Sequence, residues 1–521
     1  MKPIRLMAGF FTVGLWTMLS RLLGLVRDLM MAAFLGAGPV AEAFLIAFSL
    51  PNLFRRFFAE GAFNMAFVPM FSKKVEGEED AQRFAQQAFA GLGFILIVLS
   101  VIGLVFMPAL VSAMAWGFRG DERFDLAVTY GRIAFPYILF ISLGALLSGV
   151  LNATGRFAAA AAAPVLLNVI FVTVMIVTWL MGGAEALDFG LPLAWAVPVA
   201  GLAQFALVWF AAKRAGFALF PKRPRMTPEL KRLLIIAAPA ALASGVVQIN
   251  LLVGRQVASQ FEGAVAWLSY ADRLYQLPLG VVGIAIGVVL LPELSRRLRA
   301  GDETGGRHAY NRALEISLAL TIPAAVALVV LAIPLTSVLF QRGAFTVDDT
   351  ASTALAVAVY GLGLPAFVMQ KSLQPLFFAR EDTKRPFYYA VGAMILNAAI
   401  AIGLSPYIGY IAAAVGTTLT GWAMVLQLWL GARGMGDAAK TDARFRKRIW
   451  RIVAAALAMG VVLFLSGVVI GPFFGMAGWR YLALAVSVII GIVSYFAFAQ
   501  WFGGLLLSDI KGAMRRDRAT P

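Results

Sequence analysis

Cysteine is absent from the 521 residues, and the chain has a single histidine, His308. Disulfide bonds and thiolate metal sites are therefore excluded, and a zinc site built from histidines is not expected. Charge is also scarce, because Asp, Glu, Lys and Arg make up only 14% of the chain, whereas apolar residues make up 61%. A soluble domain of this size would carry roughly 25% charged residues. No polar stretch is long enough to predict a soluble domain.

Long apolar segments recur from one end of the chain to the other, and each can cross a bilayer as a helix. The short alternating strands of a barrel are lacking. We therefore predict an all-α polytopic membrane protein with 14 transmembrane helices. The apolar pattern of the first segment continues past Arg21 without a cleavage motif, which predicts a retained helix rather than a signal peptide. The segments are Leu6–Gly36, Val40–Phe71, Phe84–Trp116, Ala127–Leu151, Phe157–Met181, Leu191–Ala212, Leu233–Phe261, Ala264–Leu294, Ala313–Phe340, Thr353–Ala379, Phe387–Leu404, Tyr407–Leu430, Ile452–Val469 and Trp479–Phe502.

Lysine and arginine are distributed unevenly between the connections of these segments. Of 44 such residues, 32 lie at the N-terminus, in or at the edges of the even-numbered connections and at the C-terminus, whereas four lie in or at the edges of the odd-numbered connections, namely Arg119, Arg123, Arg342 and Arg480. Membrane proteins keep their cationic loops on the cytoplasmic side, so we predict that both termini are cytoplasmic. The net charge of +17 then reflects orientation and contact with anionic lipid rather than binding to nucleic acid.

Two halves of six segments each are indicated by a weak internal repeat. Segment 2 ends in FVPMFSKK and segment 8 ends in LLPELSRR, so both have Pro-x-x-Ser followed by two cations. Chance similarity between apolar helices is the alternative explanation. Halves with an even number of helices run parallel, and substrate usually binds between such halves near the midplane. The predicted domains are residues 1–212 (helices 1 to 6), 213–232 (a cytoplasmic linker), 233–432 (helices 7 to 12) and 433–521 (helices 13 and 14 with a basic cytoplasmic tail).

Five arginines lie deep inside the apolar segments and far from any predicted loop, where a charged side chain costs from about 3 to more than 10 kcal/mol. The nearby acidic residues are fewer than the arginines, and an unpaired buried charge costs several kcal/mol. We therefore predict an anionic ligand, and a phosphate suits the planar fork of arginine. The arginines are Arg21, Arg27, Arg55, Arg56 and Arg273, and the acids are Asp28, Glu42, Glu60 and Asp272.

Pairing among these charges, which would hold the helices together, is the structural alternative. Arg56 and Glu60 are four residues apart on one helix and can pair. Arg21 and Asp28 share a helix face but lie about 10 Å apart along the axis, so they cannot pair directly. Lys371 in segment 10 either lines the cavity or extends to a polar edge.

No Walker A motif, GxGxxG turn or metal-ligand cluster appears in the sequence. Neither ATP nor a cofactor is therefore expected, and a metal site is not defined by the sequence. Energy would come from the membrane potential, from a gradient of Na⁺ or H⁺, or from the gradient of the substrate itself.

The blocks SRLLGLVRD, SLPNLFRRFFAEGAF, YADRLYQLPLG and QRGAFTVDDT resemble the MurJ (MviN) family of bacterial lipid II flippases, in the MOP exporter superfamily. The resemblance runs nearly end to end. It implies two six-helix lobes around a central cationic cavity, with helices 13 and 14 adding a hydrophobic groove. It also implies that lipid II, a peptidoglycan precursor on undecaprenyl diphosphate, moves from the inner to the outer leaflet of the bacterial inner membrane by alternating access.

The same resemblance assigns roles to the charged residues. It places substrate-binding arginines at Arg21, Arg27, Arg55, Arg56 and Arg273, with Glu60 and Asp272 in the same motifs and Glu42 where family members often carry aspartate. As supporting residues we predict Asp28, Glu42, Glu60, Asp272 and Lys371. We predict that Arg27, Arg55 and Arg273 converge on the diphosphate, while Arg21 and Arg56 shape the cavity or pair with acids. Some members of the superfamily have an acidic cation site in the second lobe. Segment 7 of this chain has no Asp or Glu, so the sequence does not decide whether this chain has such a site. Lipid II, membrane lipids and other cell-wall synthesis proteins are the expected partners.

Two rival functions differ from this one in ways that the sequence can address. A MATE-like ion-coupled exporter is the first, but its usual cationic drugs would be repelled by five arginines, so its substrate would have to be another anionic or lipid-linked molecule. An enzyme acting on polyprenyl phosphates is the second, and it would need an exposed acidic site in a sizeable outer loop. Every odd-numbered connection is short, so we predict a transporter rather than an enzyme.

Overall fold

The structure is a computed structural model that describes residues 6–56, 64–77, 80–476 and 478–505. Within these ranges the chain forms eighteen α-helices and no strand, which confirms the all-α prediction. The helices of the first half are α1 (Leu6–Leu35), α2 (Pro39–Arg55), α3 (Asn64–Glu76), α4 (Ala81–Val105), α5 (Met107–Met114), α6 (Glu122–Ala134), α7 (Tyr137–Ala153), α8 (Ala158–Leu180) and α9 (Ala186–Arg214). The helices of the second half are α10 (Pro228–Ala258), α11 (Ala264–Arg299), α12 (Glu303–Val330), α13 (Ala332–Phe340), α14 (Val347–Phe378), α15 (Lys384–Ile408), α16 (Ile411–Ala432), α17 (Ala443–Ile470) and α18 (Trp479–Trp501).

Most of the predicted apolar segments correspond to one helix, whereas segments 2, 3, 4 and 9 each contain two described helices. The pair α6 and α7 meets at an angle of 42°, and Pro136 lies at this break, where proline removes a backbone hydrogen bond. Among the described residues, nine helices are long and apolar enough to cross a membrane, or ten if the α6–α7 pair is one span. The count of 14 transmembrane helices stays a prediction.

Contacts divide the described chain into two units. The first contains the residues up to Ala266 together with Arg342–Thr346, and the second contains Trp267–Gln341 and the residues from Val347 onward. The predicted lobes and linker are not decided by this division and stay a prediction. In the first unit, α1 packs on α8, α2 packs on α6, and α9 packs on α7 and α8. In the second unit, α14 packs on α12 and α16, and α17 packs on α12 and α18.

A buried carboxylate ties α17 to α12 in the second unit. Glu315, on α12, is 3% exposed and accepts hydrogen bonds from Arg312, Arg444 and Arg448. Asp442 caps the first turn of α17 by accepting from the Phe445 amide at 2.6 Å, and it also accepts from Arg312. Since a buried carboxylate is stable only when it is paired, this cluster fixes predicted segment 13 to the second unit.

Candidate anion-binding site and its supporting charges

Arg27 lies on α1 and is almost completely buried, with 6% of its surface exposed. Its Nε and Nη2 atoms donate to the same Oδ1 of Asp28, at 3.0 and 2.7 Å. Its Nη1 atom donates to Oδ1 of Asn168, on α8, at 3.0 Å. The ring of Phe171, one turn further along α8, lies 5.8 Å from the guanidinium carbon, within the range of a cation–π contact. The charge of Arg27 is therefore balanced inside the first unit by an acid and held by an amide.

The other predicted arginines of the first unit are more accessible than Arg27. Arg21 on α1 and Arg55 at the end of α2 are half-buried, and Arg56 is exposed. Glu60, the predicted partner of Arg56, lies outside the described residues. The predicted roles of these arginines in binding substrate stay predictions.

Glu42 lies in the first turn of α2 and is fully buried. It accepts a hydrogen bond from Nη1 of Arg123 at 3.0 Å and another from the backbone N–H of Val265 at 3.0 Å. Arg123 also donates to Oδ2 of Asp121, from Nη2 at 2.6 Å and from Nε at 2.8 Å, and its guanidinium lies 4.5 Å from the ring of Phe118. The structure therefore pairs Glu42 with a cation from the connection between predicted segments 3 and 4.

Arg273, the predicted cation of the second unit, lies on α11 and is exposed. The neighbouring Asp272 is half-buried and accepts a hydrogen bond from the side-chain amide of Gln276, one turn later. Lys371, on α14, is also exposed. Both cations are therefore accessible on the surface of their unit, and the convergence of Arg27, Arg55 and Arg273 on one ligand stays a prediction.

An apolar cavity of about 330 Å³ lies within the second unit. Its walls come from α11, α12, α13, α17 and α18, and Leu328, Met459 and Ile492 are typical of its lining. The helices α17 and α18 correspond to predicted segments 13 and 14, at which the resemblance implies a hydrophobic groove. The cavity has the chemistry needed to hold a hydrocarbon chain.

The part of the chain that the structure describes was predicted to contain buried charges but no defined metal site. No group of three or more His, Asp or Glu residues lies there in a position to hold a metal ion. Arg27 is paired with Asp28, and Glu42 is paired with Arg123. For these two residues the structure shows the pairing of charges that was the alternative to an anionic ligand. Asn168 and Arg123 were missed by the sequence analysis, because a single amide in an apolar run and an arginine in a connection carry no distinctive signal.

A sequence model of the family described as lipid II flippase MurJ matches residues 31–489 of this chain. A relative from Rhizobium meliloti (strain 1021), described as a "Probable lipid II flippase MurJ", is 43% identical over 520 residues, which cover 98% of this chain and 96% of the relative. The chain belongs to the lipid II flippase MurJ family. A member from Burkholderia cenocepacia, named "Lipid II flippase MurJ", is 35% identical over 99% of this chain and the whole length of that relative.

Solved structures agree with membership of the family. A structure of lipid II flippase MurJ in an inward closed conformation matches with a TM-score of 0.77 and 26% identity, over 94% of this chain and 98% of the other. An inward-facing MATE multidrug transporter of the MOP superfamily matches with a TM-score of 0.64 over 81% of this chain and 96% of the other, but at 14% identity it shows only that the fold is shared. Membership makes this chain a multi-pass membrane transporter rather than an enzyme.

Proposed function

We propose that this chain is a flippase that moves lipid II from the inner to the outer leaflet of the bacterial inner membrane by alternating access. The observation that carries the proposal is the family match, which covers nearly the whole chain. The arginines inside apolar segments of this chain agree with an anionic substrate. The diphosphate of lipid II is an anion, and arginine forms paired, charge-assisted hydrogen bonds with phosphate groups. A polyprenyl tail needs an apolar surface, and the cavity lined by α12, α17 and α18 offers one.

The work of such a transporter is conformational, and no covalent bond is made or broken. The arginines lower the energy of a charged headgroup away from water, while the tail remains in lipid or against an apolar wall. Access then changes from one side of the membrane to the other. Because the substrate carries charge, we propose that the membrane potential or a gradient of Na⁺ or H⁺ biases this change, without ATP.

Reconstituted vesicles are expected to move fluorescent lipid II between leaflets when the purified chain is present and no nucleotide is added. The measurement is the fraction of lipid II that becomes accessible to a membrane-impermeant quencher. Vesicles without protein give the background rate, and a fluorescent anionic phospholipid tests the alternative of an exporter for another anionic or lipid-linked substrate. Ionophores that collapse the potential or the Na⁺ and H⁺ gradients are expected to slow the transfer. Transfer that requires ATP hydrolysis by this chain, or that occurs only with the other phospholipid, contradicts the proposal.

We further propose that both termini and the linker of residues 213–232 face the cytoplasm, on the basis of the asymmetry of the cations. The cysteine-free sequence allows a direct test, because an introduced cysteine is the only thiol. Arg223, in the linker, and Ala184, in an odd-numbered connection, are both exposed. An impermeant maleimide added to intact cells is expected to label Ala184→Cys and not Arg223→Cys. The reverse pattern rules out the orientation.

A further inference from the structure

Asn168, on α8, uses both ends of its side-chain amide against α1. Its Oδ1 accepts from Nη1 of Arg27 at 3.0 Å, and its Nδ2 donates to the backbone carbonyl of Ser20 at 2.9 Å. Asn168 is buried, with 5% of its surface exposed. A guanidinium can only donate and a carbonyl can only accept, so the orientation of this amide is fixed by its partners. Reversing it would place an N–H₂ group against a cation and an oxygen against an oxygen.

The two contacts of Asn168 lie on one face of α1. Ser20 and Arg27 are seven residues apart, which is about two helical turns, and Gly24 lies between them. A Cβ atom at Gly24 would be 3.7 Å from Nδ2 of Asn168, so the amide packs closely against the helix at this point. Asn168 therefore holds both the backbone of α1 and the guanidinium that projects from it.

Asp28 is the next residue on the same helix as Arg27, so the hydrogen bonds between these two side chains do not tie the guanidinium to another helix. The hydrogen bond to Asn168 does, because it joins the guanidinium to α8. Among the described residues, Asp28 and Asn168 together accept from three of the five N–H groups of Arg27, which leaves one N–H on each terminal nitrogen. Two N–H groups are what a phosphate oxygen pair requires for a bidentate contact.

We infer that Asn168 is a positioning residue that orients the Arg27 guanidinium toward the phosphate of an anionic lipid headgroup. The inference rests on the proposed function, because it assumes that lipid II is the substrate. An amide suits this task better than a carboxylate, because it accepts from Arg27 without adding a negative charge. An aspartate here would place two carboxylates against one guanidinium, would lose the donor to the Ser20 carbonyl, and would repel phosphate.

The test compares lipid II binding by the purified full-length chain and its variants, at two salt concentrations, with thermal unfolding measured in parallel. Asn168→Ala is expected to weaken binding about tenfold or more, since a hydrogen bond to a charged group is removed. Gln204→Ala is the matched control, because Gln204 is also a buried amide that donates to a backbone carbonyl of α8, that of Ala163 at 2.9 Å. This control is expected to keep the wild-type affinity even where its stability falls.

A double-mutant comparison separates positioning from a merely structural role. The variant Arg27→Ala/Asp28→Ala removes both charges of the pair, so that neither is left buried alone. Adding Asn168→Ala to this background is expected to have no further effect on affinity. An equal loss of affinity in both backgrounds, or a folded Asn168→Ala with wild-type affinity, overturns the inference.

If Asn168→Ala does not fold, the variant Asn168→Asp is measured instead. A lower affinity of this variant for lipid II supports the inference, and wild-type affinity overturns it. A wild-type chain that does not bind lipid II instead defeats the proposed function.

Discussion

Replacing Arg273 with alanine is expected to reduce lipid II flipping at least tenfold while the melting temperature stays unchanged. Arg273 is exposed on α11, and replacing an exposed side chain usually changes stability little. A bidentate contact with phosphate contributes about 1.5–3 kcal/mol per charged hydrogen bond, which is roughly 10- to 100-fold in affinity. Arg273→Lys keeps the charge but loses the planar fork, so an intermediate rate is expected. Flipping in vesicles and thermal unfolding in detergent are the two measurements.

Arg299→Ala is the matched control for Arg273→Ala. Arg299 lies on the same helix, is also exposed, and makes a hydrogen bond only with the Ser295 carbonyl among the contacts found for it. The two variants change the net charge equally, but Arg299 lies beyond the apolar segment, so its loss is expected to leave flipping near the wild-type rate. An equal reduction of flipping in both variants would show that the net charge of the protein, rather than the position of Arg273, determines the rate. A lower melting temperature with intact binding for Arg273→Ala would make the residue structural.

Arg27 does not offer so clear a test of substrate binding. Its removal leaves Asp28 buried without the cation that now pairs with it, and breaking a buried pair costs about 3–5 kcal/mol. An alanine at this position is therefore expected to lose stability as well as function. The sequence alone treats the buried and the exposed arginines alike, and only their surroundings in the fold separate them.

The long helices were predictable from sequence because apolar runs of this length have few alternatives in a chain with so little charge. The breaks within the runs were harder to predict. Pro108 lies at the start of α5 and Pro136 lies before α7, yet Pro51 and Pro365 lie inside continuous helices. Proline removes one backbone hydrogen bond and permits a kink. Whether the helix is interrupted there depends on how the neighbouring helices pack against it.

The candidate site was predictable only for its cations. Arginine in an apolar segment is conspicuous because its burial is costly, and this feature identified Arg21, Arg27, Arg55, Arg56 and Arg273. The groups that hold Arg27 and Glu42 are not conspicuous. Asn168 is 141 residues from Arg27, and Arg123 is 81 residues from Glu42, so only the packing of α8 on α1 and of α6 on α2 brings them together.

Glu42→Ala is expected to destabilise the protein by about 3–5 kcal/mol, because it leaves the buried guanidinium of Arg123 with a single acidic partner. That partner, Asp121, is partly exposed, with 39% of its side chain accessible, and the Val265 amide also loses its acceptor. The melting temperature in detergent is the measurement, and Glu122→Ala, an exposed neighbour of Arg123, is expected to leave it unchanged.

The double variant Glu42→Ala/Arg123→Ala separates the loss of the pair from the burial of an unpaired charge. Removing both partners is expected to cost less than removing Glu42 alone, since no buried cation is then left without its acid. Equal melting temperatures for the single and the double variant would mean that the Val265 amide, rather than Arg123, is the contact through which Glu42 stabilises the first unit. A Glu42→Ala variant as stable as Glu122→Ala would mean that water or a shifted Asp121 satisfies Arg123. In that case the buried pair contributes little to the stability of the helices it joins.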